Sequence, residues 1–184
     1  ESVPTHWVPK RLRFVINSNP VKSEVSDLEK DTIVSFVPME SVTDNGQMYL
    51  EQEKHIEDVY SGYTFFKDED IVLAKITPCF ENGKGAIASG LTNGIGFGTT
   101  EFHVLRASEE LDNRWLYYLT KSHPFLEIGA AEMFGAGGQK RVPESYIKNF
   151  RLGIPLKQEQ AQIANFLDYK TSQVDHLIRK KIAL

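Results

Sequence analysis

Cysteine is nearly missing from this 184-residue chain: Cys79 stands alone. One thiol cannot form an internal disulfide or build a cysteine-based zinc site, and its isolation fits a reducing cytoplasm. Long apolar runs are missing too, so the sequence offers no segment able to span a bilayer. It shows no basic-then-apolar leader, although it starts at Glu1 rather than Met, so that residues before it are missing. The histidines His6, His55, His103, His123 and His176 form no HxH or HxxxH pair, which takes away the usual spacing for a metal site. No repeat or low-complexity tract is visible. What is present is ordinary for a globular protein: 41% hydrophobic and 25% charged residues, which excludes a disordered chain.

The net charge of −4 speaks against a nucleic-acid partner, but its distribution does not. Residues 1–133 hold 12 Lys and Arg against 21 Asp and Glu, whereas residues 134–151 hold Lys140, Arg141, Lys148 and Arg151 against Glu144 alone. A globally acidic protein with a basic C-terminal third can present a local phosphate-binding face. Charge alone fits solvated surface equally well.

Hydrophobic patterning predicts a mixed fold. Ile33–Val37 is β-branched and aromatic, stops at Pro38 and reads as a strand. Asp70–Ile76 is the strongest strand candidate, Gly85–Ala88 a short one, and Glu101–Arg106 alternates, with Phe102, Val104 and more loosely Leu105 on its buried side. Asn17–Pro20 and Asp44–Gly46 read as turns. Asn113 opens a helix with Trp115, Leu116, Tyr118 and Leu119 on its apolar stripe; it breaks before Pro124, and Phe125–Phe134 reads as a second helix. From Gln158 to Leu184 there is no Gly or Pro, and Ile163, Leu167, Val174, Leu177 and Leu184 recur at heptad-like spacing, with Phe166, Ile178 and Ile182 widening the stripe. That predicts a helix of about 40 Å with a seam for a partner helix. The stripe also suits a helix folded back on its own domain, but it stays apolar to the last residue, which favours an extended helix that continues further.

Catalytic patterns are weak. Gly94–Gly98 has nucleotide-loop spacing but leads into a strand, not a helix, and Gly135–Lys140 lacks the Gly-Lys-Ser/Thr ending of a phosphate loop. The segments Glu51–Lys54 and Glu81–Lys84 lack the spaced acidic partner of a nuclease site, and no nucleophile–base pair stands out. Binding features are stronger. Gly137-Gly138-Gln139-Lys140-Arg141 puts an amide, an ammonium and a guanidinium on a glycine-rich loop, where backbone can approach a phosphate and the side chains can neutralise it or read a base. Lys75 and Lys84 flank a second loop in which Phe80 and Asn82 could reach a groove, although the loop also reads as a simple strand connection. The 38–60 segment is a further source of base-reading side chains, although Glu40, Asp44, Glu51, Glu53, Glu57 and Asp58 make it acidic.

Taken in order, several segments resemble the target recognition domain of the specificity subunit of type I restriction–modification enzymes. Asp70–Pro78 with Gly83–Ile87 is similar to that family's strand–loop–strand, and Thr99–Arg106 to its next strand. Gly135–Arg141, then Ile154-Pro155-Leu156 and Glu159-Gln160, resemble its ending before a long helix, and His6-Trp7 with Lys10-Arg11-Leu12 resembles its start. Lys157 stands where the family often has a further Pro-Leu element. The resemblance covers essentially the whole chain, but only one recognition domain and one helix where the full subunit carries two of each. It implies a fragment, a half-subunit or one half of the protein.

The expectations are then specific. The fold is α/β, more narrowly α+β: a compact mixed-sheet recognition domain over 1–153, followed by a coiled-coil-type spacer or dimerisation helix over 154–184. The resemblance implies a non-catalytic unit that reads one half of a bipartite duplex-DNA target and docks methyltransferase subunits, with a restriction subunit as further partner. The helix would meet a second copy or a second recognition domain. S-adenosylmethionine, ATP and Mg would belong to the partner subunits, and this chain would carry no metal and no cofactor. Gln139, Lys140 and Arg141 are the first candidates for DNA contact, and Lys75, Lys84 and Asn82 the second. Two other readings stay open: a recognition domain of a fused nuclease–methyltransferase, and a helix-mediated protein-interaction module.

Overall fold

Short β-branched and aromatic runs closed by turns produce strands of three to six residues, held together by partners distant in sequence. The computed structural model describes residues 4–182. The strands are β1 (Val8–Arg11), β2 (Ile16–Ser18), β3 (Ile33–Val37), β4 (Gln52–His55), β5 (Thr64–Lys67), β6 (Ile71–Ala74), β7 (Gly85–Ile87), β8 (Ile95–Gly98), β9 (Phe102–Ala107) and β10 (Arg151–Ile154). The helices are α1 (Ile56–Val59), α2 (Asn113–Lys121), α3 (His123–Ala131), α4 (Glu144–Asn149) and α5 (Lys157–Ile182). A central antiparallel sheet has the order β2-β9-β6-β7, and a second, mixed sheet the order β4-β3-β8-β5 with β3 and β8 parallel. β1 pairs with β10 in a separate ribbon.

The inner strands β6 and β9 of the central sheet are covered on both faces. Along β6, Ile71 and Leu73 point to one hydrophobic core and Val72 to another. Along β9, Phe102 and Val104 point to the second core and Leu105 to the first, which explains the looser fit of Leu105 to a single buried face. Helices α2, α3 and α4 cover one side through Trp115, Leu116, Phe125 and Ile147. The second sheet covers the other, bringing Val37 and Phe66 against Val72 and Val104. Its own outer face is closed by Val25, Ile56 and Val59 over Val34, Phe65 and Phe97. The close approach needs glycine in β8: a Cβ on Gly96 would lie 2.3 Å from the Phe66 ring. The Gly94–Gly98 pattern is thus a packing device.

The 112–121 segment is helical because the Asp112 side chain accepts from the Arg114 and Trp115 amides, supplying the N-cap. The next helix starts at His123, earlier than expected, because Pro124 is tolerated in a first turn. It stops at Ala131, leaving Phe134 exposed.

The long helix serves two roles along its length. Gln160 is fully buried: its amide donates to the carbonyls of Glu110 (3.0 Å) and Pro155 (2.9 Å) and accepts from the Asp112 amide (2.8 Å). Ala164 is buried beside it, and Ile163 packs against the first core. Ile163, expected on the partner seam, is partly buried and turns toward the core of its own domain. Leu167 is half-buried, and Arg114 and Tyr118 of α2 bind Asp168 at 2.8 and 2.7 Å. From Tyr169 to Ile182 the helix is exposed, with Val174, Leu177 and Ile178 each more than half accessible. Leu184 lies outside the described residues. The boundary expected between 153 and 154 falls inside β10, where Ile154 pairs with Val8.

Removing the Gln160 amide takes the partner from three backbone groups, of which the Pro155 carbonyl is buried and the other two partly so. An unsatisfied buried group costs about 1–3 kcal/mol and a partly wetted one less. Gln160→Ala should lower unfolding free energy in urea by about 2–4 kcal/mol, and Leu177→Ser, on the exposed half, should change it by less than about 0.5 kcal/mol. Equal losses in the two variants would contradict this division of the helix.

Candidate nucleic-acid interface

Strand register decides which loops are neighbours. Val37 pairs with Gly98, Gly98 with Thr64, and Phe36 with Gln52; in the central sheet Ala74 pairs with Phe102 and Leu73 with Gly85. The connections 38–51, 75–84 and 99–101 therefore emerge at one end of the paired sheets. They touch there: the Gly85 amide donates to the Thr43 carbonyl (3.3 Å), and the Lys84 ammonium reaches the Met39 carbonyl (3.5 Å).

The glycine-rich loop joins this end from the helical layer. The Thr77 amide donates to the Lys140 carbonyl and the Val142 amide to the Lys75 carbonyl, both at 2.9 Å. Gly137 and Gly138 take φ of +62° and +77°, a turn that favours glycine, with nothing within 4 Å of a Cβ built on either. Lys75, Gln139, Lys140 and Arg141 are thereby brought together, with Asn82 and Lys84 on the neighbouring loop. Gln139, Lys140 and Asn82 are exposed, and Lys75 and Lys84 partly so. Among the described residues, no carboxylate lies within ion-pair distance of Lys75, Lys84 or Lys140.

Arg141 is placed differently from its neighbours. Its guanidinium grips Glu101 with Nε 2.9 Å and Nη2 2.6 Å from the carboxylate oxygens, a forked ion pair. Those hydrogen bonds hold the Glu101 carboxyl below its usual value of 4.5 and raise the Arg141 pKa in return. Arg141 thus anchors the loop root to the 99–101 connection. Phe80 does not reach a groove: it is 2% exposed and packs on the Phe125 ring and over Gly129. Two residues at this end escaped the sequence reading. Tyr49 is 48% exposed in the 38–51 connection. Lys121, which reads as an ordinary cation at a helix end, reaches two of the loops from α2.

The remaining motif residues meet one another elsewhere. Glu159 accepts from the Trp7 indole (3.1 Å) and lies 2.9 Å from His6, and these contacts hold its carboxyl below its usual range. His103 binds the Val142 carbonyl at 2.9 Å, and burial keeps its imidazole below its ordinary pKa. Among the described residues no group of His, Cys, Asp and Glu is arranged to hold a metal ion, and no helix is long and apolar enough to cross a membrane.

The sequence model of the type I restriction modification DNA specificity domain matches residues 4–184. The chain belongs to this family. It is 45% identical over 163 residues to the type I restriction enzyme EcoAI specificity subunit of Escherichia coli, and 44% identical over 163 residues to the EcoEI specificity subunit of the same organism. Each alignment covers 88% of this chain but 27% of the relative, so the chain spans about a quarter of their length. Among solved structures, it resembles the HsdS subunit from Thermoanaerobacter tengcongensis with a TM-score of 0.65 and 19% identity, over 98% of this chain and 41% of that one. A chain in a structure of a type I R-M system, described for its assembly and conformational transition, gives a TM-score of 0.68 at 17% identity, over 98% of this chain and 42% of that one. These likenesses show the specificity-domain fold, and the α+β architecture with a long C-terminal helix agrees with it.

Because the folded Glu101 pKa lies below its unfolded one, its pairing with Arg141 stabilises fully above about pH 4.5 and is lost as pH falls through the depressed value. Urea unfolding of the wild type should lose stability on acidification below about pH 4.5, and Glu101→Gln should lose less over the same range. Identical pH dependences would contradict the pairing.

Proposed function

We propose that this chain is a non-catalytic DNA-recognition unit that reads one half of a bipartite duplex target within a type I restriction–modification specificity subunit. The observation that carries this reading is the gathering of the 38–51, 75–84, 99–101 and 134–141 segments at one end, where among the described residues the Lys75, Lys84 and Lys140 ammoniums meet no carboxylate within ion-pair distance. Cations on adjacent loops neutralise phosphates and set register, while Gln139, Asn82 and the 38–51 connection offer donors and acceptors for base edges. The exposed half of α5, with Val174, Leu177, Ile178 and Ile182 uncovered, supports a helix partner from a second recognition domain or a second copy. Methyltransferase and restriction subunits would then be the partners that supply S-adenosylmethionine, ATP and Mg chemistry.

Duplex-DNA affinity should fall steeply with salt, by close to one power of the salt concentration (about tenfold in affinity per tenfold in salt) for each phosphate neutralised. Lys140→Ala and Lys75→Ala should each weaken binding and lower that slope by about one. Arg141→Ala should weaken binding by uncovering the Glu101 charge beside the loop. Salt-independent binding, or unchanged affinity in the Lys75/Lys140 double variant, would sink the assignment.

A further inference from the structure

Lys121 closes α2 with its ammonium turned inward. Nζ donates to the Asp44 carbonyl at 2.6 Å and to the Gly83 carbonyl, two loops separated from it by 77 and 38 residues. Tyr117, one turn earlier, lies beneath it, with Nζ 5.4 Å from the ring centroid. The same tyrosine closes on the 43–47 turn: a Cβ on Gly46, at φ +90°, would fall 2.0 Å from its hydroxyl. On the other loop, Gly83 at φ +68° sits against the Lys121 stem and Leu126. Burial lowers the Lys121 pKa to about 8, although the nearby Asp44 charge acts the other way. A cation held at that cost by backbone carbonyls does not serve as a solvated surface charge.

The fastened loops are those that present candidate reading groups. Asn82 and Lys84 flank Gly83, and Gln47 and Tyr49 follow Asp44, with the Tyr49 hydroxyl donating to the Gln47 amide oxygen at 2.7 Å. We propose that Lys121 is a positioning residue for sequence selectivity: its ammonium fixes the spacing of the 43–47 turn from the 78–84 loop without touching DNA. This rests on the DNA-recognition reading above. Base-edge hydrogen bonds demand near-ideal distance and angle, whereas phosphate attraction tolerates small displacements. Loosening the clasp should therefore erode discrimination and leave general DNA affinity intact.

The test uses the intact specificity subunit in its assembled complex, as wild type and as Lys121→Met, Lys121→Gln and Lys121→Arg, with a duplex library of randomised core as probe. Selectivity is the affinity for the duplex that the wild type enriches, relative to a random-sequence duplex. Lys121→Met keeps the stem and removes the donors, so selectivity should fall about tenfold, the scale of one lost base contact. Affinity for the random duplex and the salt slope should stay unchanged. Lys121→Arg, with donors for both carbonyls, should restore most of the selectivity, and amides of 43–47 and 78–84 should exchange faster together in the Met variant. Lys121→Gln, a shorter neutral donor, takes the place of Met if that variant does not fold. Unchanged selectivity in both neutral variants overturns the proposal. A salt slope lowered by about one overturns it in favour of a direct phosphate contact. Lost selectivity that Arg does not rescue, accompanied by a lower Tm, overturns it in favour of simple packing. A wild type that enriches no sequence overturns the DNA-recognition reading itself, a result separable from each of the others.

Discussion

Burial of Ile71, Val72, Leu73 and Ala74 on both sides of one sheet obliges the chain to cover that sheet twice. The first covering is the helical layer, the second is another sheet, and each supplies a core of its own. Nothing polar can enter between the layers without a partner, so the chemistry-bearing side chains are pushed to the ends of the strands. One end then carries loops from both sheets and from the helical layer. Asp70 is a charged group retained beside this interior: it is 1% exposed and bound by the Arg106 guanidinium through two contacts of 2.7 Å. Arg106 also reaches Glu24, which in turn binds Lys67, so the outer 22–25 turn is tied to both sheets.

Cations at the loop end fall into two kinds according to their partners. Arg141 and Lys121 face inward to Glu101 and to carbonyls, and they hold loops in place. Lys140 is exposed and Lys75 partly so, and among the described residues neither is ion-paired to a carboxylate. In the proposed DNA interface the two kinds would complement each other, because mobile cations on mobile loops lose conformational entropy on binding that anchored loops have already lost.

Much of the frame was legible. Ile33–Val37, Ile71–Ala74 and Phe102–Ala107 are strands by composition, and the α5 stripe announces a helix. β4, Gln52–His55, carries no such signal: it is a polar edge strand that forms because β3 offers it a ladder. α4 has only six residues and follows Pro143, too short for a periodic pattern to emerge. At the candidate site, residue type pointed to loops that the fold brings to one end, but not to the partners of each side chain. Arg141 reads as a free cation until Glu101, 40 residues earlier, is placed beside it. Phe80 reads as a loop aromatic until Phe125 and Gly129 enclose it. The resemblance motifs are legible for a related reason: His6 and Trp7 meet Glu159, and the Lys140 carbonyl meets Thr77, so the pattern records how the frame is bolted together.

The ribbon of β1 and β10 gives the frame a further property. Val8 lies opposite Ile154, and α5 starts at Lys157, so the backbone leaves the globular part alongside the strand by which it came in. Such a module behaves like a bead clipped onto a thread: splicing it into a longer polypeptide, or exchanging it for another with different loops, leaves the path of the thread where it was.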